Sequence, residues 1–283
     1  MNSDKLKSII SKKTHGDNDS SLKLFQMFYF ERILERISKS NYRNGIILKG
    51  GVLLSSIIGD DERTTKDLDA TLKGIPLTRE KIELIFNEIL NVKIDDDVSF
   101  ELVNIKDIRL EDEYGGFSLN ILASLDKNKT YITVELTTGD VITPREIKYS
   151  YNCIFEDKKI SIMSYTLETI IAEKFQTIIS RGILNTRLKD FYDIYVLIST
   201  KLDEINLETL KLAIRNTFNK RETKYDVSEF HLIIKELEEN NDLKKLWIEY
   251  QNKNNYSKNI DYIMTLESIK KIIKILEEEL VIV

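Results

Sequence analysis

The alternation of apolar and polar residues divides the N-terminal third of the chain into short, well-defined segments. Between residues 21 and 40, apolar side chains recur every three or four positions, for example at Leu24, Phe28 and Ile37, which is the spacing of one helix face. The next apolar runs are shorter, and the Gly50-Gly51 pair separates two of them as a tight turn. The pattern predicts a helix over 21–40, a strand over Gly45–Leu48, a short helix over Val52–Ile58, a strand over Asp67–Leu72 and a helix over 78–91.

A second pattern begins near Val98 and continues to about Ile162. Its segments alternate in polarity or are rich in β-branched residues, and the turn signals GG, DKNK and GD separate them, which is typical of antiparallel strands. From Tyr165 to the C-terminus the apolar spacing is helical, with Gly182 as the stop of the first helix. We therefore predict an α+β fold with two domains: a mixed or antiparallel sheet with flanking helices over 1–163, and an all-α helical domain over 164–283.

Composition and charge exclude several classes of protein. The chain has 283 residues, 42% of them hydrophobic. Its formal net charge of −5 gives no overall positive field that would indicate a nucleic-acid partner. A polyanion would have to bind at a local patch of positive charge. The single cysteine, Cys153, excludes an internal disulfide, and His15 and His231 lie too far apart in sequence to suggest a structural zinc site. The N-terminal segment lacks the apolar region of a signal peptide, and no apolar run approaches the roughly 20 residues of a membrane span. These features predict a cytoplasmic protein without a membrane partner.

The segment RTTKDLDATL carries the first candidate chemistry. Asp67 and Asp69 are two positions apart on a predicted strand, so both carboxylates lie on the same face. They repel each other unless a cation lies between them, and Mg²⁺ prefers such oxygen ligands together with substrate phosphates. A strand edge with two exposed aspartates, or a turn, explains the pair without a metal. The preceding Gly50-Gly51 turn and short helix favour the metal site, because glycine lets phosphates approach backbone N–H groups at a helix N-terminus.

The helical half contains a second set of charged residues. Lys174 and Arg181 lie seven residues apart in AEKFQTIISRG, two turns along one helix face. Asp190 and Asp193 in TRLKDFYDIYVL are three residues apart and also share a face. Spacing alone favours ion pairs between these two helices. In the alternative interpretation, Lys174 contacts nucleotide phosphates as a point charge, and one aspartate orients this lysine or serves the attacking hydroxyl.

These segments together resemble a known family of enzymes. Lys49-Gly50-Gly51 followed by Asp67-Leu68-Asp69 is similar to the first motif of polymerase-beta-type nucleotidyltransferases, with GDDERTT as an additional loop between the two parts. More specifically, R-x-T-K-D-L-D-A, and later an A-E-K helix followed by R-x-K-D-x-x-D, resemble the AbiEii/AbiGii toxins of type IV toxin–antitoxin, or abortive-infection, systems. The resemblance extends from about residue 20 to 200 and implies a nucleotidyltransferase-like N-terminal domain.

The resemblance also implies a nucleotide site. One group of residues would lie next to the triphosphate of an NTP, with two basic side chains of the helical half facing it across a cleft: Lys49, Gly50, Gly51, Lys66, Lys174 and Arg181. Lys174 and one of the two aspartates, Asp190 or Asp193, would both be needed for activity. The resemblance does not decide between these two aspartates.

Asp67 and Asp69 would be the metal ligands in such a site. A third carboxylate is expected on the central antiparallel strand, where ITVELTTGD offers Glu135 in mid-strand and Asp140 after the turn. We assign Glu135 to this position, although relatives tend to have aspartate there and a surface glutamate is the alternative. With three ligands the site would hold Mg²⁺, as two ions.

The implied function is that of a metal-dependent nucleotidyltransferase toxin. It would transfer an NMP unit from an NTP to an RNA acceptor, with the tRNA 3′ end as the candidate, release pyrophosphate and arrest growth. Its partner would be a separately encoded antitoxin. Two alternatives stay open: a small-molecule nucleotidyltransferase of the antibiotic-modifying kind, and a non-catalytic nucleotide-binding module.

Overall fold

The chain forms two compact units. The computed structural model describes residues 1–14, 17–59, 65–108 and 115–278. One unit consists of Met1–Asp140 and Glu146–Tyr165, and the other of Val141–Arg145 and Thr166–Val283. The division into domains over 1–163 and 164–283 stays a prediction, and the structure adds the short segment Val141–Arg145 to the helical unit.

The first unit is built on one mixed sheet. Its elements in chain order are α1 (Ser3–Thr14), α2 (Asn18–Lys39), β1 (Ile46–Lys49), α3 (Gly50–Ile58), β2 (Asp67–Leu72), α4 (Arg79–Leu90), β3 (Val98–Ile108), β4 (Gly116–Leu125), β5 (Asn128–Thr138), β6 (Ile147–Asn152) and β7 (Lys159–Ser164). The strand order across the sheet is β3-β4-β5-β2-β1-β7-β6. β2 runs antiparallel to β1 and parallel to β5, and β1 runs parallel to β7. The predicted mixed sheet with flanking helices is confirmed.

Helix α2 forms much of the core of this unit. Its N-cap is Asp17, whose carboxylate accepts a hydrogen bond from the Ser20 N–H at 2.7 Å. The apolar pattern predicted that this helix starts at residue 21, which is wrong by three residues because polar residues before the first apolar position also belong to the helix. Further along α2, the buried Arg36 pairs with Asp96 at 2.9 Å and so connects the helix to the segment that precedes β3.

The strands separate apolar from polar side chains by their alternation. Leu68 and Ala70 on β2 are at most 1% exposed, as are Val134 and Leu136 on β5, and they form the apolar face of the sheet. Successive side chains of a strand point to opposite faces, so the residues between them lie on the other face. This second face carries the polar groups described below.

The second unit is helical. It contains α5 (Leu167–Arg181), α6 (Leu188–Thr200), α7 (Leu207–Lys220), α8 (Val227–Glu239), α9 (Asn241–Lys253) and α10 (Tyr262–Glu277). Thr166 caps α5. Gly182 ends this helix with a φ of 48°, and its place as the helix stop was predicted from the sequence. Thr143 accepts and donates hydrogen bonds with Thr166 and Thr169, which explains why its segment belongs to this unit. Among the helices of the described ranges, none has the length and apolar composition that a membrane span requires.

Candidate active site

Three carboxylates meet on the polar face of the sheet. β2 and β5 are parallel neighbours, and their register places Asp69 directly opposite Glu135 and Asp67 opposite Thr133. One oxygen from each of Asp67, Asp69 and Glu135 lies within 4.8 Å of the other two, and all three residues are half-buried. We call these three residues the acidic cluster. It joins the D-x-D pair to a residue more than sixty positions away in the sequence.

The acidic cluster has the donor chemistry of a divalent metal site. Three carboxylates this close together repel each other, and a cation between them relieves that repulsion. Their oxygens are hard ligands of the kind that Mg²⁺ takes in proteins, where it is usually held by carboxylates and substrate phosphates. The residues present therefore fit a magnesium ion, and within the described part of the chain this is the one group of three such residues close enough together to hold a metal.

Gly50 brings the start of α3 against the acidic cluster. Its φ is +65°, a conformation that residues with a side chain rarely adopt, and a Cβ at this position would overlap the Asp69 carboxylate. Gly51 is restricted by space alone, because a Cβ there would lie 2.6 Å from the Thr65 side chain. The two glycines do not form a separate turn but begin α3, two residues earlier than the sequence predicted. A helix N-terminus thus lies beside the carboxylates.

Lys49 lies opposite Asp69 in the register of β1 and β2, but its ammonium bonds elsewhere. The ammonium lies 2.5 Å from the Asp140 carboxylate and donates to the Thr137 hydroxyl at 2.7 Å. It also lies 5.6 Å from the centre of the Tyr165 ring. Lys49 is 7% exposed. The structure therefore places Lys49 in a buried ion pair, and its contact with a nucleotide stays a prediction.

The Lys49 ion pair changes the acidity of Asp140. Burial raises the pKa of this carboxyl, but the Lys49 charge and the hydrogen bonds from Lys49 and Thr137 lower it more, so the pKa falls to about 2. Asp140 was the alternative to Glu135 as the third carboxylate of the predicted metal site. The structure brings Glu135 to Asp67 and Asp69 and pairs Asp140 with the lysine.

A second charged cluster lies within the helical unit. The Lys174 ammonium on α5 lies 2.8 Å from Asp190 and 2.7 Å from Asp193, both on α6. Arg187, at the start of α6, donates to the other oxygen of Asp190 at 2.9 Å. Asp190 and Asp193 are buried, and the Lys174 side chain is 16% exposed. The geometry is the ion-pair arrangement that spacing alone favoured for Lys174.

Burial and pairing act against each other in this cluster. Burial lowers the pKa of Lys174, but the two aspartates raise it more, and the pKa is above its ordinary value. For Asp190, burial raises the pKa, while Lys174 and Arg187 lower it to below its ordinary range. Lys174 and Asp190 are therefore both charged at neutral pH. The lysine keeps its charge because the aspartates hold it.

The remaining basic candidates lie at the surface. Lys66 is exposed immediately before β2, and Arg181 is exposed as the last residue of α5. Arg181 makes no ion pair with any residue that the structure describes. Of the two basic residues predicted to pair with the α6 aspartates, Lys174 alone does so. Residues 60–64, which comprise most of the GDDERTT loop and Arg63 of the first motif, lie outside the described residues.

Comparison with known proteins relates these two clusters to one family. The family model described as "Nucleotidyl transferase AbiEii toxin, Type IV TA system" matches residues 32–269, which include both clusters. No curated protein matches the chain in sequence. Two Helicobacter pylori structures are similar, a "putative nucleotidyltransferase" and JHP933, each with a TM-score of 0.48 over 91% of this chain. The identities are 15% over 96% of the first protein and 14% over 93% of the second.

Replacing Gly50 tests whether the start of α3 and Asp69 must touch. Gly50→Ala forces both a positive φ and an overlap with the carboxylate, so we expect it to lower the free energy of unfolding by more than about 2 kcal/mol and to weaken Mg²⁺ binding. Gly74→Ala is the matched control, because Gly74 also has a positive φ, of 68°, but nothing lies within 4 Å of a Cβ there. Denaturant unfolding and Mg²⁺ titration measure both effects. Equal losses in the two variants would contradict the proposed close contact.

The Lys49–Asp140 pair predicts a specific dependence of stability on acid. Because the folded pKa of Asp140 lies below its ordinary value, the unfolded chain binds more protons between about pH 4 and pH 2. This pair therefore stabilises the fold above about pH 4, and its contribution of about 2 kcal/mol decreases as the pH falls toward 2. Asp140→Asn should remove that dependence, measured as the difference in unfolding free energy from the wild type between about pH 5 and pH 3. A difference that does not change with pH would show that Lys49 does not perturb Asp140.

Proposed function

The chain belongs to the AbiEii nucleotidyl transferase toxin family of type IV toxin–antitoxin systems, and we propose that it transfers an NMP unit from an NTP to a hydroxyl of an RNA acceptor. The proposed acceptor is the 3′ end of tRNA, and the second product is pyrophosphate. Membership of this family makes the chain a toxin and a nucleotidyltransferase, with a nucleotide substrate and an antitoxin partner. The observation that carries the proposal is the acidic cluster, in which Glu135 joins the D-x-D pair.

The acidic cluster is the proposed site of metal binding. Asp67, Asp69 and Glu135 would hold Mg²⁺, as two ions in this proposal. When bound, Mg²⁺ polarises the α-phosphate and lowers the pKa of the acceptor hydroxyl. Magnesium is preferred because all three ligands are carboxylates and the substrate brings phosphate oxygens of its own.

The backbone at the start of α3 would position the triphosphate. The first turn of this nine-residue helix begins with Gly50 and Gly51, and the N-cap, Lys49, supplies no side-chain acceptor for its N–H groups. Phosphate oxygens can therefore accept these hydrogen bonds, and the helix dipole favours their negative charge. Lys66 is exposed next to β2 and is proposed as an additional cation for the phosphates. Arg181 is proposed as a further phosphate contact.

The bond changes are those of an in-line displacement at phosphorus. The acceptor hydroxyl oxygen bonds to the α-phosphorus, and the bond from this phosphorus to the oxygen that bridges to the β-phosphate breaks. Pyrophosphate leaves, and the hydroxyl proton passes to water. Because the protein does little covalent chemistry here, alignment of the two substrates and neutralisation of the phosphates account for most of the expected acceleration.

Lys174 is the proposed cationic contact from the helical unit. An ammonium has three N–H donors, and two of them point to Asp190 and Asp193 among the described residues. The third donor and the 16% exposure of the side chain leave room for one phosphate oxygen. In this proposal the two aspartates fix the lysine, and they act on the substrate through it.

Replacing Asp69 tests the proposed reaction directly. We expect the purified wild type to transfer label from α-labelled NTPs to total tRNA only with Mg²⁺. Asp69→Asn should lower the rate at least about a hundredfold, because the loss of a residue that merely supports a metal ligand already lowers metal affinity or activity by about 10- to 100-fold. Expression of Asp69→Asn in a host without the antitoxin should not arrest growth. Asp157→Asn, at an exposed carboxylate between β6 and β7, is the control and should behave like the wild type.

Two outcomes would contradict this proposal. Full transfer in EDTA, or by a folded Asp69→Asn protein, would exclude metal-dependent catalysis by the acidic cluster. Transfer to small hydroxyl compounds but to no RNA would favour the small-molecule nucleotidyltransferase.

Replacing Lys174 separates its contact with phosphate from its ion pairs. Lys174→Met leaves buried aspartates without this partner and should lower the free energy of unfolding by about 3–5 kcal/mol, so its loss of activity is not informative. Lys174→Arg keeps the positive charge but replaces a compact ammonium with a planar fork. We expect it to retain most of the stability and to lose transfer at least about a hundredfold. Lys189→Arg, on the exposed side of α6, is the control. A fully active Lys174→Arg protein would assign Lys174 to the ion pairs alone.

A further inference from the structure

The polar face of the sheet continues from the acidic cluster across β4 to β3. Directly opposed residues of neighbouring strands share a face, so the strand pairings define rows of side chains across the sheet. The first row runs outward from the cluster through Asp69, Glu135, Ser118 and Lys106. The second row runs beside it through Asp67, Thr133, Asn120 and Asn104. Beyond the acidic cluster, these rows are made of neutral hydrogen-bonding groups and one lysine.

The neutral side chains of these rows do not bond to one another. Ser118, Asn120 and Thr133 are half-buried, and within the described residues their side chains make no hydrogen bond. Farther along the same face the situation differs, since the Thr71 hydroxyl donates to the Thr137 carbonyl and the Thr137 hydroxyl donates to Asp140. Polar groups held in order on a strand and left without an internal partner are suited to bind an external ligand.

An exposed aromatic ring lies on the same face. Tyr131 is two residues before Thr133 on β5 and opposite Leu122 of β4, and it is 59% exposed. From Glu135 to Tyr131 the strand rises about 13 Å. Two exposed lysines, Lys129 and Lys106, flank this region on the same face. Apart from the acidic cluster, the described residues of β3, β4 and β5 place one further acid on this face, Glu101 on β3.

We propose that this face, formed by Ser118, Asn120, Thr133 and Tyr131 with the flanking lysines, binds the unpaired 3′ end of the RNA acceptor. The proposal rests on the function proposed above and adds the place where the acceptor lies. Single-stranded RNA is the occupant that fits, because sheets bind it by stacking bases on exposed aromatic rings, by hydrogen bonds to base edges and by cations along the backbone. A small acceptor would need only the acidic cluster, and an aromatic ring about 13 Å away would not touch it.

In this proposal, each part of the RNA end binds a different set of residues. The terminal hydroxyl would lie at the acidic cluster, and the preceding bases would pass over Thr133 and Asn120 toward the ring of Tyr131. Ser118 and Asn120 offer a hydroxyl and an amide, which donate and accept, so they can bond to the edge of more than one base. The face would therefore hold an unpaired end without strict sequence selection.

The test measures RNA binding separately from nucleotide binding and from transfer. The probe is a fluorescein-labelled single-stranded RNA of about ten nucleotides with a free 3′ hydroxyl, a length within the usual site size of a single-strand-binding fold. Tyr131→Ala should weaken its binding about tenfold or more in fluorescence anisotropy, the scale of one lost base-stacking contact, and Asn120→Ala by several-fold. Calorimetric binding of each Mg–NTP should not change. Tyr131→Phe keeps the ring, and Asn152→Ala lies on the far edge strand β6, so both controls should bind RNA like the wild type.

The outcomes distinguish this surface from the proposed reaction. Unchanged RNA affinity in Tyr131→Ala, parallel losses of RNA and nucleotide affinity, or no RNA binding by the wild type would each overturn the surface, even if transfer to tRNA is observed. Asp69→Asn should retain RNA binding while it loses transfer. If the wild type shows no transfer but its RNA affinity still depends on the Tyr131 ring, the surface stands and the proposed reaction fails.

Discussion

The parallel pairing of β2 with β5 is the constraint on which the rest of the site depends. It places Asp69 opposite Glu135, and a shift of one residue would turn one set of carboxylates to the opposite face. The apolar residues between them prevent that shift, since Leu68 and Val134, for example, are completely buried on the other face. The hydrophobic core therefore fixes the geometry of the acidic cluster, although none of its atoms belongs to the site.

The Lys49–Asp140 pair keeps the Lys49 ammonium from bonding to the acidic cluster. Lys49 lies opposite Asp69, where its ammonium could bond to a carboxylate of the acidic cluster instead of a metal. Asp140 and Thr137 draw the ammonium to the next row, at 2.5 and 2.7 Å. Asp140 stays ionised well below neutral pH. It therefore remains the partner of the Lys49 ammonium, in place of the acidic cluster, throughout the physiological pH range. The sequence motif suggested Lys49 as a phosphate ligand. In the structure, its ion pair holds it beside the acidic cluster.

Local signals in the sequence predicted local features well. The period of two predicted that Asp67 and Asp69 share a face, and Thr78 and Gly182 were recognised as helix boundaries because capping depends on a few neighbouring residues. The partner of Lys49 could not be predicted, since Asp140 lies 91 positions away and is brought near by strand order. For the same reason the polar rows through Ser118 and Asn120 were missed: their alternation is visible in the sequence, but their alignment with the acidic cluster requires the register of β4 with β5.

The two aspartate pairs show how environment gives the same residue type different chemistry. The D-x-D and D-x-x-D motifs each contain two aspartates. Asp67 and Asp69 are half-buried on a strand, where a third carboxylate joins them. Asp190 and Asp193 are buried between helices, and a lysine bonds to both. Buried carboxylates that are already paired gain nothing from a metal and would have to give up their lysine to bind one. In the proposed reaction, the second pair supports nucleotidyl transfer by keeping Lys174 charged and in place, and the acidic cluster is the proposed metal site.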